Sequence, residues 1–168
     1  MMTVSEKSYI AGFIDADGSI ILQLKKRKNA KFLFRIKTTI VLYQDSRYIN
    51  VIKQLHSIIG SGYVYVRSDH ISELRIEGFT QVKRLIKSVL PFLRFKHKQA
   101  KLTLEAIEIL QNKNVTIKEF IDICKISDEV SSLNYSSKLR INSSAFVISE
   151  LQKHHLLPVT TGVPIVSG

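Results

Sequence analysis

Residues 10–18 read IAGFIDADG and lie where a predicted helix, residues 5–15, gives way to a strand. Ile10, Phe13 and Ile14 fall on one face of this helix, the pattern of side chains that enter a core. The opposite face carries small or polar side chains: Ser8, Ala11, Gly12 and Asp15. Because another helix backbone could approach such a face closely, we expect a helix–helix contact here.

Asp17 falls at the carboxy-terminal end of this helix, directly before Gly18. A carboxylate is poorly placed for stability at the negative end of a helix dipole. The placement makes sense if a bound cation neutralises it, so Asp17 is a candidate metal ligand. The alternative interpretation is that Asp15 and Asp17 only cap turns, since Asp-Gly is a common turn pair.

Hydrophobic periodicity predicts two helix–strand–strand units followed by further helices. Ser5 is the predicted cap of the first helix, and Asn29 and Ala30 form the predicted turn between the first two strands. The predicted strands are 19–28, 31–43, 63–68 and 71–77, and the later helices are 46–59, 80–89, 97–111, 117–130 and 143–152. We therefore expect an α+β fold, αββαββα with added carboxy-terminal helices, whose four-stranded antiparallel sheet keeps its polar, basic face open.

The chain shows no linker rich in proline, glycine or serine, so we expect one domain over residues 1–152. Residues 153–168 have no periodicity and contain two prolines and two glycines. We expect them to form a loosely ordered tail.

The composition is that of a basic globular protein, with 25 Lys and Arg, 14 Asp and Glu, a formal net charge of +11 and 45% hydrophobic residues. The excess charge lies in residues 23–47 and 94–101, whereas a solubilising charge would be scattered, and such blocks favour a nucleic-acid partner. This composition excludes a disordered chain, a membrane span and, with Cys124 alone, a disulfide scaffold. Without a secretory signal in MMTVSEKSYI we expect an intracellular protein of unknown compartment.

The motif at residues 10–18 resembles the LAGLIDADG motif of homing endonucleases, matching it at seven of nine positions and differing at Ile10 and Phe13. The resemblance covers residues 5 to about 150, because members with a single motif share the predicted element order. It implies a homodimer paired through the motif helices, with Ser8, Ala11, Gly12 and Asp15 at the interface. It also implies a site-specific endonuclease that cuts both strands of a long, near-palindromic DNA target.

The resemblance implies an active site at the end of the motif helix. Asp17, with the carbonyl of Ala16, would hold Mg²⁺, and Ca²⁺ is expected to support DNA binding without cleavage. Gln44 matches a family glutamine that orders water, and Lys96 matches a family lysine near the scissile phosphate. A family basic residue is expected where this sequence has Tyr48, so Arg47 is the candidate for that catalytic role.

The outward side chains of the two predicted hairpins are the candidate DNA contacts, because arginine suits guanine, glutamine adenine and glutamate cytosine. The candidate base-reading residues are Gln23, Arg27, Arg35, Lys37, Tyr65, Arg67, Glu73 and Arg75. The candidate phosphate contacts are Lys25, Lys98, Lys138 and Arg140. For any one of these side chains, a solvent or phosphate role is an open alternative to base reading.

Two other functions fit the same scaffold. Some relatives are RNA-binding intron maturases, and a DNA-binding protein that does not cut is a second possibility. Retention of Asp17, Gln44 and Lys96 favours a nuclease, although it leaves a dual role open.

Overall fold

The computed structural model describes residues 2–134 and 142–158. Its elements follow the predicted order. They are α1 (Val4–Asp17), β1 (Gly18–Lys26), β2 (Phe34–Asp45), α2 (Ile49–Ile59), β3 (Tyr63–Val66), β4 (Ile71–Glu77), α3 (Phe79–Val89), α4 (His97–Leu110), α5 (Ile117–Ser132) and α6 (Ser144–Lys153). Single 3-10 turns at Ser46–Tyr48 and Leu90–Phe92 precede α2 and follow α3. The predicted α+β class and αββαββα order are therefore confirmed.

Helix α1 begins at Val4, one residue before the predicted helix, and its cap lies two residues before the predicted cap. Thr3 caps it, because its hydroxyl accepts from the Glu6 N–H while the Glu6 carboxylate accepts from the Thr3 N–H. This reciprocal pair is a capping box. Ser5, the predicted cap, lies inside the first turn of α1, so that assignment is wrong.

The four strands form one antiparallel sheet in the order β1-β2-β4-β3. In the long first hairpin, Gly18 pairs with Leu42 and Lys26 with Phe34. The turn predicted at Asn29–Ala30 is present, but it lies in a wider loop over residues 27–33. It closes with the Arg27 N–H donating to the Leu33 carbonyl at 2.7 Å, and Leu33 adopts a left-handed φ of 61°. The strand β2 consequently begins at Phe34.

Two hydrophobic clusters cover the same face of the sheet. The first packs Ile10 and Ile14 of α1 against Ile40 and Leu42 of β2, together with side chains of α2 and α3. The second packs the far part of the β1–β2 hairpin, including Leu22 and Phe34, against α4, α5 and α6. The carboxy-terminal helices therefore support the far end of the first hairpin, which α1 does not reach.

The outer edge of β1 is covered by polar side chains from the carboxy-terminal region. Ser127, Asn134 and Asn142 donate to the carbonyls of Leu22, Ile20 and Leu24 at 2.8, 2.9 and 2.8 Å. Unpaired strand edges invite association with other chains. These three hydrogen bonds satisfy carbonyls that would otherwise form such an edge.

The described part of the predicted loose tail, residues 153–158, is held against the rest of the chain. Helix α6 ends at Lys153, and Leu157 packs against the second cluster. Residues 159–168, the rest of the predicted tail, lie outside the described residues, as do Lys138 and Arg140. Within the described ranges, no helix combines the length and apolar character that crossing a membrane requires.

Candidate active site and nucleic-acid interface

The end of α1 brings two of the predicted catalytic side chains to one cavity. Gly18 starts β1 directly after Asp17 and pairs with Leu42, so the end of β2 runs beside the motif. The result is a shallow cavity of about 450 Å³. It is lined by Ala16, Asp17, Gly18, Ser19, Tyr43, Gln44, Asp45 and Ile71.

The tight passage from helix to strand explains the glycine of the motif. A Cβ at Gly18 would lie 2.7 Å from the Ile14 Cα and 2.8 Å from its carbonyl oxygen. Backbone atoms cannot give way as a flexible side chain would. A larger residue at this position would therefore displace Asp17 from the cavity.

Asp17 is exposed, and in the described part of the chain it has no hydrogen bond or ion pair. The last turn of α1 contains no basic residue to offset it. The Ala16 carbonyl belongs to the same last turn, where helix carbonyls lack intrahelical partners. A carboxylate and a carbonyl are the hard oxygen ligands that Mg²⁺ and Ca²⁺ prefer. The residues present therefore fit a divalent cation, although the described residues contain no cluster of three or more metal-ligating side chains.

Lys96 is held at the end of α1 by Asp15, the other acid of the motif. The Asp15 carboxylate accepts from the backbone N–H groups of Arg94 and Lys96 at 2.6 and 2.8 Å. The Lys96 ammonium donates to the Asp15 carbonyl at 2.6 Å. Asp15 thus holds the loop that precedes α4, and its carboxylate is engaged within the chain.

The environment of Lys96 changes its acidity. Partial burial lowers the pKa of its ammonium below the usual 10.5, while the charges of Asp15 and Asp17 oppose this shift. The influence of Asp17 places its carboxylate within electrostatic reach of Lys96. A lysine with a lowered pKa releases its proton more readily than an ordinary surface lysine.

Gln44 and Arg47 lie at the end of β2 and in the turn after it. The Gln44 amide oxygen accepts from the Asp45 N–H at 2.9 Å, so its amide nitrogen is the group left to face the cavity. The Arg47 guanidinium binds both carboxylate oxygens of Asp45, each at 3.0 Å. Its centre lies 6.0 Å from the ring of Tyr48, which is 56% exposed. Arg47 therefore lies next to the cavity while held by one of the residues that line it.

The predicted dimer face of α1 is only partly exposed. Ser8 and Gly12 are open to solvent, and a Cβ at Gly12 would meet no atom within 4 Å. Ala11 is 0% exposed and belongs to the first cluster, so its assignment to the interface is wrong. The error arises because a position 100° from Gly12 on a helix already faces the sheet.

The structure adds two aromatic residues to this face. Phe95 is 82% exposed. It lines a cavity together with Ser8, Gly12, Asp15, Ala16, Pro91, Phe92 and Arg94. Tyr9 is 55% exposed on α1 itself. An isolated phenylalanine within a basic stretch gives no sequence signal for an interface, which is why Phe95 was missed.

The first hairpin exposes its predicted DNA contacts on the open face of the sheet. Gln23, Lys25, Arg27, Arg35 and Lys37 are all exposed. Lys25 lies directly opposite Arg35, and Gln23 lies opposite Lys37. Lys37 pairs with Glu77 at 2.8 Å. Among residues 2–134 and 142–158, Lys25, Arg27 and Arg35 have no ion-pair partner.

The second hairpin shows a different arrangement, and it contradicts one assignment. The side chain of Glu73 is 3% exposed, and its carboxylate accepts from Arg75 Nε at 2.6 Å and Arg67 Nη1 at 3.2 Å. Glu73 is therefore not an outward base-reading residue, because both of its oxygens are taken up by arginines. Tyr65 and Arg67 are exposed as predicted, and Arg75 is partly exposed.

Lys98, a predicted phosphate contact, lies in the first turn of α4. Its ammonium pairs with Glu129 of α5 at 2.7 Å, and both side chains are largely exposed. Exposed pairs of this kind contribute little to stability. Lys98 can therefore exchange Glu129 for a phosphate at small cost.

Comparison with known proteins agrees with this geometry. A family model described as LAGLIDADG endonuclease matches residues 10–104. DNA endonuclease I-CreI of Chlamydomonas reinhardtii is 33% identical over 139 residues, which are 83% of this chain and 84% of that protein. DNA endonuclease I-CvuI of Chlorella vulgaris is 29% identical over 135 residues, 80% of this chain and 83% of that protein.

The solved structures give the same result. A crystal structure of I-CvuI bound to the I-CreI target superposes with a TM-score of 0.83 and 28% identity, covering 89% of this chain and 94% of that chain. Another, of I-CvuI with its own target, gives a TM-score of 0.82 and 27% identity over 90% and 97% of the two chains. The family and function class predicted from residues 10–18 are therefore confirmed. This chain belongs to the LAGLIDADG endonuclease family.

Proposed function

We propose that this chain is a site-specific DNA endonuclease that acts as a homodimer on a long, near-palindromic double-stranded target. The observation that carries the proposal is the cavity that Asp17 and Gln44 line at the end of the motif helix, with Lys96 held by the neighbouring Asp15. We include in it a single catalytic domain over residues 1–152. The I-CvuI complexes with target DNA support DNA as the substrate.

The homodimer is supported by the surface of α1 and by the number of candidate catalytic carboxylates in one chain. Over residues 2–134 and 142–158, one chain presents one candidate catalytic carboxylate without a partner, Asp17, whereas cutting both strands of a duplex requires two sites. The exposed side of α1 presents Ser8, Gly12 and Tyr9, with Phe95 alongside, and a helix that is apolar or small on both sides is usually buried on both. Two-fold pairing through this face would bring both Asp17 carboxylates near the axis, and a two-fold protein favours a near-palindromic target.

The length of the target follows from the length of the first hairpin. Nine residue pairs join β1 to β2. At about 3.4 Å per residue they span about 30 Å, close to nine base pairs of duplex. A dimer with two such hairpins would contact about 20 base pairs.

Each side chain of the site has a distinct role in phosphodiester hydrolysis. Asp17 and the Ala16 carbonyl would hold a divalent cation, for which Mg²⁺ is the proposed ion, and a bound cation stabilises charge on phosphoryl oxygens. Lys96 offers a positive charge to the scissile phosphate, and Gln44 orients water through its amide nitrogen. Arg47, once released from Asp45, would contact the phosphate backbone. The I-CvuI complexes were obtained with Mg, where the DNA was not cleaved, and with Ca, which supports a divalent cation.

The replacement Asp17→Asn tests the catalytic assignment. It keeps the size of the side chain but removes the charge that a cation requires, so cleavage should fall by at least about 100-fold while DNA binding persists or tightens. The substrate is the duplex that the wild-type chain enriches from a randomised library. Cleavage in Mg²⁺ and gel shifts in Ca²⁺ are measured on that duplex.

The matched control is Asp122→Asn, which removes an exposed carboxylate from α5. It should cut and bind as the wild type does. Near wild-type cutting by Asp17→Asn would contradict the catalytic role. A wild-type chain that binds its duplex tightly but never cuts it would instead favour the non-cutting DNA-binding protein.

The replacement Gly12→Leu tests the homodimer. Within one chain the new side chain meets open space at its Cβ, so the fold should be retained. At a close helix–helix contact it would hold the partners apart, and sedimentation should show a monomer with little double-strand cleavage. Gln54→Leu adds the same side chain to the exposed surface of α2 and should remain dimeric. Sedimentation of wild-type chain on its target as one copy per duplex would refute the dimer.

A further inference from the structure

Glu73 is a buried carboxylate on the side of the sheet that otherwise faces solvent. In the register of β4 it lies between Tyr43 of β2 and Tyr65 of β3. Its side chain is 3% exposed, although the flanking Arg67 and Arg75 side chains keep 44% and 34% of their surface exposed. A carboxylate removed from water needs compensating partners, and these two guanidinium groups supply them. Glu73 therefore belongs to a built arrangement on the open face.

The hydrogen bonds leave the two arginines with different free donors. Arg67 uses both terminal nitrogens, Nη1 on Glu73 at 3.2 Å and Nη2 on Asp69 at 2.7 Å. Arg75 donates from Nε to Glu73 at 2.6 Å. Its Nη1 lies 4.0 Å from a Glu77 carboxylate oxygen, which is too far for a hydrogen bond. The end of the Arg75 guanidinium thus keeps donors for a ligand, whereas Arg67 is held at both terminal nitrogens.

A cavity of about 420 Å³ lies over this arrangement. Its lining consists of Tyr63, Tyr65, Arg67, Glu73 and Arg75. Tyr63 is the partner of Arg75 in the strand register, and both residues line the cavity. The cavity is therefore aromatic at its sides and offers a fixed, charged donor pair.

We propose that Glu73 is a positioning residue that orients Arg75 to recognise a guanine in the major groove, with Arg67 binding the other oxygen of the Glu73 carboxylate. A guanidinium whose end is free matches the O6 and N7 acceptors of guanine, which no other base edge presents together. Holding the side chain in advance reduces the ordering cost of binding. The proposal rests on the proposed function, since it needs a duplex target.

The variant Glu73→Gln tests this role because glutamine keeps the shape of glutamate but lacks the negative charge that holds the two guanidinium groups. Wild-type and variant full-length chains select from a randomised duplex library with Ca²⁺ present, and the bound duplexes are sequenced. We expect the wild type to enrich a guanine in each half-site that Glu73→Gln favours about 10-fold less, with other positions unchanged. Glu108→Gln removes an equal charge from α4, far from the open face, and should keep the wild-type profile.

Four results would overturn the proposal, and one of them would overturn the proposed function as well. An unchanged base profile in Glu73→Gln would remove the positioning role alone, as would an equal loss of preference at every position. A wild-type chain that enriches no sequence would overturn the proposed function as well. If Glu73→Gln does not fold, Arg75→Lys decides the matter: loss of the same guanine supports the proposal, and its retention refutes it.

Discussion

In the β1–β2 hairpin, Lys25, Arg27 and Arg35 reach from the sheet without a carboxylate partner among the described residues, whereas in the β3–β4 hairpin both arginines are held by Glu73. Both hairpins contribute arginines to the same open face, but residues 63–77 also carry Asp69, Glu73 and Glu77, so only the first hairpin has an excess of positive charge. They differ in whether the positive charges are balanced within the chain before any ligand arrives.

The first hairpin carries an electrostatic cost that the second avoids. Lys25 lies directly opposite Arg35 across the β1–β2 pair. Like charges in that position destabilise a strand pair. A polyanion bound to the open face would remove this repulsion. We therefore expect the first hairpin to supply affinity for the DNA backbone. The second hairpin should supply arginine side chains that are already oriented for base recognition.

The largest expected effect follows from neutralising the first hairpin. Replacing Lys25, Arg27 and Arg35 together with glutamine should weaken binding to every duplex, because counterion release is lost. Each phosphate contact contributes about 0.9 to the slope of log affinity against log salt, so three lost contacts should reduce the slope by about 3. Titrations of the enriched target and of an unrelated duplex at several salt concentrations measure this slope.

The control replaces three exposed lysines on the helical side, Lys53, Lys87 and Lys125, with glutamine. Those positions lie away from the open face, and the slope should stay near the wild-type value. If both triple variants change the slope equally, then the net charge of the protein acts as a whole. The distinction between the two hairpins would then have no basis.

Much of this fold could be predicted because the strands alternate with a period of two. Ile20, Leu22 and Leu24 alternate with Ile21, Gln23 and Lys25, and the buried pattern of β1 follows that alternation. The motif also predicted where Asp17 would lie, because Gly18 tolerates no side chain at the passage from α1 to β1. Local patterns of this kind decide element order and the facing of side chains.

The burial of Glu73 could not be predicted from the same alternation. Its position in β4 points to the open face, and only the strand register shows it between two tyrosines and two arginines. The role of Asp15 was missed for a related reason, because its partners lie 79 and 81 residues away. Contacts between distant segments determine the burial of Glu73 and the hydrogen-bond partners of Asp15, and a single sequence does not report such contacts.

Neighbouring lysines in the basic block provide the smallest effect and the finest test of the comparison. Lys25 and Lys26 are adjacent, but Lys26 shares the buried side of β1 with Leu24 and reaches Glu150 of α6. Its ammonium also lies 5.8 Å from the Phe146 ring. Lys26 therefore ties the hairpin to the carboxy-terminal helices, while Lys25 remains available on the open face.

The pair Lys26→Gln and Lys25→Gln should separate stability from DNA binding. The hydrogen bond from Lys26, followed by that from Lys153, lowers the pKa of Glu150 below its ordinary value of 4.5. A lowered carboxylate pKa stabilises the fold above that ordinary value, and the contribution is lost as the pH falls through the lowered pKa. Near neutral pH, Lys26→Gln should therefore lower Tm by about 1–3 °C, and the difference should disappear in acid well below pH 4.5. Lys25→Gln should keep or slightly raise Tm, because it relieves repulsion from Arg35. It should weaken DNA binding, because it takes away a phosphate contact. A Tm difference for Lys26→Gln that persists in acid would show that packing against Phe146, rather than the ion pair with Glu150, ties the hairpin to α6.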